Sequence, residues 1–356
     1  MNDLSSTSGP TRQLPRFVPR SMSHHGAHSG YDQLFRHMGL VAASSRWGHA
    51  VAKIIPGFLA WRLWSMRPQA TSAVGLRAEL GAMPWVATGR GRICHFIYGE
   101  DTYFLTPLWQ TRANRSIATF HYPPDRLAMR VNPGSIKSLH TVVIVGENQR
   151  AYFEQLLPPE RIHLCLHAVD TGFFCPDPAP PASGGPLRLV CSGTIFRDFR
   201  VLLDVHRALR AQGHDFVTDI VGANEEQRAL VGPEPGFQIH RKISDEELRA
   251  LYRAAAVGVL PLTDATANNA LLELMACGRP VVVSDVGAVI DYTAGSAVHL
   301  VPEGDVQAMV MAVGALLSDA SQRQCEGQAN RNHAVATLAF EPIAARMRAI
   351  YATCAA

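Results

Sequence analysis

The chain has 356 residues, 47% hydrophobic and 18% charged, enough to bury the cores of two ordinary domains and a composition that excludes a disordered chain. Net charge is +3, but residues 1–180 hold 18 Lys and Arg against 11 Asp and Glu, and residues 181–356 hold 15 against 19, so the halves carry +7 and −4. Seven cysteines, an odd number with no C-x-x-C pair, argue against a disulfide framework and point to reduced, cytoplasmic usage.

In chain order, residues 1–14 read as a polar, disordered tail without an apolar signal core. Segment 44–69 interleaves Trp47, Phe58, Trp61 and Trp64 with Arg46, Lys53, Arg62 and Arg67. That pattern suits either an interfacial membrane contact or two short helices packed on the domain. No stretch approaches the ~18 apolar residues of a membrane span. The basic front half suits an anionic partner or simply a solvated surface, and the scattered basic residues speak against nucleic acid. From residue 92, the runs RICHFIYG (92–99), SIATFHYPP (116–124) and HTVVIVGENQRAYFEQLL (140–157) predict buried strands leading into loops or helices. The Pro/Gly-rich stretch 175–186 places a linker at 177–186. Strand and helix patterns then alternate at least five times, which predicts a doubly wound parallel sheet, with Ser244 and Glu247 forming a capping box.

Ligands of open parallel sheets bind beyond the carboxyl ends of the strands. After LRLVCSG, Gly193 permits a close backbone approach and Arg197 offers a fork for phosphate. After VGVLPL, Asn268 or Asn269 caps a helix whose first N–H groups form an anion site. Glu273 follows one turn later, where a carboxylate can take both hydroxyls of a ribose. The residues alone equally allow Glu273 to be a local cap, an ion-pair partner or a surface group.

NNALLELMACGRPVVVSDVG (268–287) resembles the donor segment of retaining GT-B glycosyltransferases of family 4. HAVDTGFFCP (167–176) and SGTIFRDFRVLLDV (192–205) are similar to that family's inter-domain motif and diphosphate loop. The resemblance is good over 140–356 and thin before it. It implies a GT-B fold, two facing Rossmann-like domains: an acceptor-side domain at 15–176, a nucleotide-sugar domain at 187–340, and a C-terminal helix at 341–356 crossing back to the first. It assigns the diphosphate to Arg197 and to the helix start at Asn268, Asn269 and Ala270, and the ribose to Glu273. Ser29 and Gly30 come near the diphosphate, and His121 near the transferred sugar. The nucleobase is assigned to the region of Arg241, Lys242 and Ile243, mostly through backbone. Where the family carries a sugar-binding glutamate this chain has Ala265, with Asp264 beside it, and Thr194 replaces a basic residue of the phosphate loop.

The resulting expectation is a hexosyltransferase that uses a UDP- or GDP-type nucleotide sugar as substrate, without a separate cofactor. It would be metal-independent, because Arg197 and the helix start at Asn268–Ala270 supply positive potential at the phosphates, in agreement with the absence of an Asp-x-Asp motif, and the resemblance implies retention of anomeric configuration. The acceptor would be a glycan, a lipid-linked or a small molecule, with cytoplasmic location and peripheral membrane contact through 44–69. The alternative reading is a non-catalytic GT-B partner subunit, favoured by Ala265 and Thr194; a nucleotide-sugar 2-epimerase ranks lower.

Overall fold

The computed structural model describes residues 14–19, 28, 30–43, 73–178 and 185–354. Ser29, the 44–69 segment, all but the last residue of the expected tail and the centre of the linker lie outside the described residues.

Two six-stranded sheets, each wholly parallel, form the frame. The first comprises β1 (Arg16–Val18), β2 (Val41–Ala42), β3 (Ile93–Phe96), β4 (Arg115–Phe120), β5 (Thr141–Ile144) and β6 (Ile162–Leu164) in the order β2-β1-β3-β4-β5-β6. The second comprises β7 (Leu187–Ser192), β8 (Phe216–Val221), β9 (Phe237–His240), β10 (Val257–Leu260), β11 (Val281–Ser284) and β12 (His299–Val301) in the order β12-β11-β10-β7-β8-β9. Helices cover both faces, so central strands are apolar on both sides: every residue of β5 and β11 is buried. β1 and β2 escape a sequence reading because two or three residues are too short to show a pattern.

The strand orders locate the binding crevices. The chain reverses direction across the sheet between β1 and β3 in the first half and between β7 and β10 in the second. Such switch points are where the loops beyond the strands part and leave room for a ligand.

The last helix, Phe340–Cys354, belongs in space to the first sheet. Its Ile343, Ala344, Met347, Ile350 and Tyr351 share a core with Phe17, Ile117 and Val143. The buried His95 on β3 joins Tyr351 Oη and Thr119 Oγ1, each at 2.7 Å. Burial pushes His95 down to about 3, so this tie is made by a neutral ring. Before this helix the backbone widens into one π-type turn at Ala334–Leu338, and Val169 N–H donates to Leu338 O there at 2.9 Å. The crossing point is therefore pinned to the end of the first half.

The carboxyl edges of the two sheets meet. Asn148 Nδ2 donates to Ala265 O at 3.1 Å, Tyr292 Oη donates to Val145 O at 2.5 Å, and Glu147 N–H donates to Asp291 Oδ2 at 2.6 Å. Gly146 allows this approach, since a Cβ there would sit 2.4 Å from Ala288 Cβ.

Candidate functional site

In the second half, the loop after β7 and the helix Asn269–Ala276 after β10 are neighbours because β7 and β10 pair. Asn268 caps that helix, its Oδ1 accepting from Leu271 N–H at 3.3 Å and from Arg197 Nη2 at 3.1 Å. Arg197 also donates through Nε to Ser192 O at 2.8 Å and through Nη1 to Ile195 O at 3.1 Å. Three of its five N–H groups are thus fixed by the loop, and two remain for an anion. Burial lowers the Arg197 pKa, from a value so high that the guanidinium remains charged.

Gly193 makes this arrangement possible, with φ +99° and a position at which a Cβ would lie 2.7 Å from Arg197 Nη2. Gly193→Ala is expected to cost about 1–3 kcal/mol of stability in urea unfolding and to displace the guanidinium. Two non-glycine residues in the described structure also have positive φ, Phe196 at 57° and Lys242 at 52°. Both stand in loops beyond second-sheet strands, where strain is held by the surrounding structure.

Glu273 is 4% exposed, which removes the reading of a surface group. Its Oε2 accepts from Tyr252 Oη at 3.0 Å, and Tyr252 Oη lies 2.7 Å from Ser192 Oγ. Burial pushes the Glu273 carboxyl up to about 8, partly offset by the Tyr252 hydrogen bond. Glu273, Tyr252, Ser192, Arg197 and Asn268 therefore form one hydrogen-bonded chain that ties the carboxylate to the guanidinium.

Across the cleft, His121 follows β4. Its Nδ1 lies 3.3 Å from Glu100 Oε1, and because a carboxylate only accepts, Nδ1 carries the proton and Nε2 is left for other work. Glu100, 5% exposed, follows β3 at the first switch point, and its Oε2 is buried without a partner. Tyr31 stacks on His121 at 4.2 Å, nearly parallel, and burial, then Glu100, raises its pKa. His121, with Tyr31 stacked on it, stands on the wall of the first half and Glu273 on that of the second. Arg126 lies over the Phe196 ring at 5.6 Å from the opposite wall. His28 clasps both halves, its Nδ1 2.8 Å from Asp170 Oδ2 and its N–H donating to Asp245 Oδ2 at 2.9 Å, with its ring 3.7 Å above Phe173.

The structure brings Gly193, Arg197, Asn268, Asn269, Ala270 and Glu273 together, with His121 on the wall of the first half; Gly30 is buried in the turn before Tyr31, its carbonyl accepting from Gln33 N–H at 3.1 Å. Asp264 caps Ala265 N–H at 2.7 Å; burial raises its pKa, as does Asp125 across the cleft. Ala265 is buried and its carbonyl carries the Asn148 contact between the halves. Lys242 is exposed and Ile243 half-buried beyond β9, and neither is hydrogen-bonded to the network. Thr194 lies against the next strand, its hydroxyl donating to Gly222 O and its carbonyl accepting from Gln227 Nε2 at 3.0 Å. Sequence reasoning missed Glu100, Tyr31 and Tyr252. Glu100 could have been found by applying the strand-end rule to RICHFIYG; no local signal marks the two tyrosines.

Residues 186–319 match the family model of the group 1 glycosyl transferases. The MMP alpha-(1->4)-mannosyltransferase of Mycolicibacterium hassiacum is 26% identical over 201 residues, which is 54% of this chain and 48% of that protein, so the match spans about half of the relative. A sucrose-phosphate synthase from Thermosynechococcus elongatus superposes with TM-score 0.62 at 21% identity, covering 79% of this chain and 78% of that one. A glycosyltransferase from Rickettsia africae gives 0.66 at 13% identity, covering 97% and 99%. Anabaena HepE, solved with UDP and glucose, gives 0.63 at 12% identity, covering 79% and 82%. The two facing parallel sheets are those of the GT-B architecture. The fold is GT-B, and residues 186–319 are similar in sequence to the group 1 glycosyl transferases.

Proposed function

We propose that this protein is a metal-independent, retaining hexosyltransferase that takes a UDP- or GDP-type nucleotide sugar. The observation that carries the reading is the continuous chain from Arg197 to the buried Glu273, set at one sheet's switch point and facing His121 and Glu100 at the other. A guanidinium and a helix N-terminus favour a diphosphate, and a carboxylate one turn below favours a diol.

Transfer breaks the bond between the anomeric carbon and the diphosphate oxygen and forms one to the acceptor oxygen, whose proton passes to the departing phosphate. Negative charge grows on the leaving oxygens, where the two spare Arg197 N–H groups and the first turn of the helix Asn269–Ala276 supply fixed positive potential. That supply is the reason for proposing that no metal or other cofactor is needed. His121, held in one tautomer by Glu100, positions the sugar rather than attacking it. Asp264 takes the place of the missing sugar-binding carboxylate at Ala265, and Lys242 and Ile243 border the base. The mannosyltransferase relative and the UDP and glucose bound to Anabaena HepE support a hexosyl nucleotide donor. The acceptor is a glycan, lipid-linked or small molecule, reached from the cytoplasm, with segment 44–69 as the membrane contact. Among the described residues no helix is long and apolar enough to cross a membrane.

Calorimetric titration with UDP, GDP and ADP tests the reading. One of them is expected to bind the wild type, with Glu273→Ala weaker by about 1.5–3 kcal/mol through loss of a charge-assisted contact. A well-folded protein that binds none of the three returns the chain to the role of a non-catalytic partner.

A further inference from the structure

A second basic cavity lies at the far end of the first sheet from the cleft. It has a volume of about 390 Å³ and is lined by Arg112, Arg115, Arg161, His140, Gln110 and Asn114, among others. Its origin is topological. Arg115 opens β4, His140 immediately precedes β5 and Arg161 immediately precedes β6, and these three strands are consecutive neighbours in register. Their amino-terminal ends therefore place three cationic or potentially cationic residues side by side. His121 is at the other end of β4, roughly 20 Å away at ~3.3 Å per residue, so nothing bound here touches the reacting atoms.

The lining is all of one sign. It contains three arginines and no carboxylate, and none of the three makes an ion pair among the described residues. Two uncharged side chains of the wall are already hydrogen-bonded. Asn114 Nδ2 donates to Val86 O and Thr88 O, both at 3.0 Å, and Gln110 Oε1 accepts from Ser116 Oγ at 2.6 Å. The wall thus carries guanidinium groups without carboxylate partners, Arg115 Nη1 donating only to Arg112 O at 3.4 Å. Burial, then Arg115 and Arg161, lower the His140 pKa, which shows how closely the positive charges converge on it. The Thr111 hydroxyl, in the same lining, is buried without a hydrogen-bond partner. Guanidinium forks match phosphate oxygens in pairs, and the volume falls within the range of small-ligand sites.

We propose that this cavity is a second anion site, which takes the phosphate of a small phosphorylated ligand, free or borne on a lipid headgroup, through Arg112, Arg115 and Arg161. The inference stands apart from the transferase reading, since it uses no residue of the cleft.

The His140 ring gives a local readout, its NMR signal assigned by its disappearance in His140→Gln. Inorganic phosphate is expected to move that signal saturably and to raise the pH at which it titrates, by adding a negative charge beside the ring. Arg112→Glu with Arg161→Glu, both exposed and outside the core, is expected to weaken the effect at least tenfold while the folded spectrum persists. Sedimentation with phosphatidylcholine vesicles containing phosphatidate separates the sources. Retention that the double variant loses identifies a lipid-borne phosphate; a phosphate-induced shift without retention identifies a free one. The proposal is overturned if neither phosphate nor the vesicles bind, or if whichever binds does so equally well to the double variant.

Discussion

Arg197→Lys is expected to slow cleavage of the nucleotide-sugar donor by about 10²–10³-fold and to weaken nucleoside diphosphate binding by about tenfold, with the fold intact. The substitution keeps the positive charge but replaces a planar fork by a point charge. In the structure the guanidinium spends three N–H groups on Ser192 O, Ile195 O and Asn268 Oδ1, and these bonds aim the other two. Lysine has three donors on a flexible stem and cannot both hold the loop and face a diphosphate. The larger loss falls on turnover because charge on the leaving oxygens is greatest in the transition state, where misdirected donors cost most. The measurement is donor hydrolysis without acceptor, using the sugar form of whichever nucleotide binds, together with its calorimetric affinity. Unchanged hydrolysis would remove Arg197 from the diphosphate.

Much of the second half can be read from its sequence because its central strands are short apolar runs and most of its helices carry their own start signal. Ser244 and Glu247 cap one helix reciprocally and Asp198 caps another, as local rules dictate. The first half resists such reading. β1 and β2 hold five residues between them, and β2 sits at the sheet edge, so β1 is placed by pairing to β3, β2 by pairing to β1, and both by the last helix, from about 300 residues away in sequence. Pairing over that separation leaves no local trace.

The cleft divides the same way. Arg197, Asn268 and Glu273 stand out because a glycine turn, a capping asparagine and a carboxylate among leucines each break their local pattern. Tyr252 looks like an ordinary core residue of its helix; only the fold shows its hydroxyl between Ser192 and Glu273. Tyr31 is likewise indistinguishable from a core aromatic until the halves meet. Glu100 was within reach, being the acidic residue just beyond the β3 run, but its tie to His121 depends on β3 pairing with β4.

Glu273→Gln is expected to act in opposite directions on stability and on binding, and pH separates the two. The folded state holds the Glu273 carboxyl at about 8, above an unfolded carboxylate near 4.3, so the protonated form is the one that folding favours. Its contribution to stability is complete below about pH 4.3, is lost as pH rises through about 8, and is level beyond. Glutamine is neutral throughout. The variant should match the wild type near pH 4 and be more stable by roughly 2–4 kcal/mol near pH 8.5, measured by urea unfolding, at about 1.4 kcal/mol per pKa unit with allowance for relaxation. Nucleotide binding should move the other way. A ribose diol is held best by the ionised carboxylate, so binding to the wild type should release a proton at pH 7, seen as a dependence of the calorimetric heat on the buffer's ionisation enthalpy. The variant should release none and bind about 10–100-fold more weakly. Equal affinity with equal proton release would mean that Glu273 serves the core alone. The expected result instead describes a residue kept in an unfavourable burial for what it holds, its cost to the empty fold being the condition for gripping a ligand in a dry site.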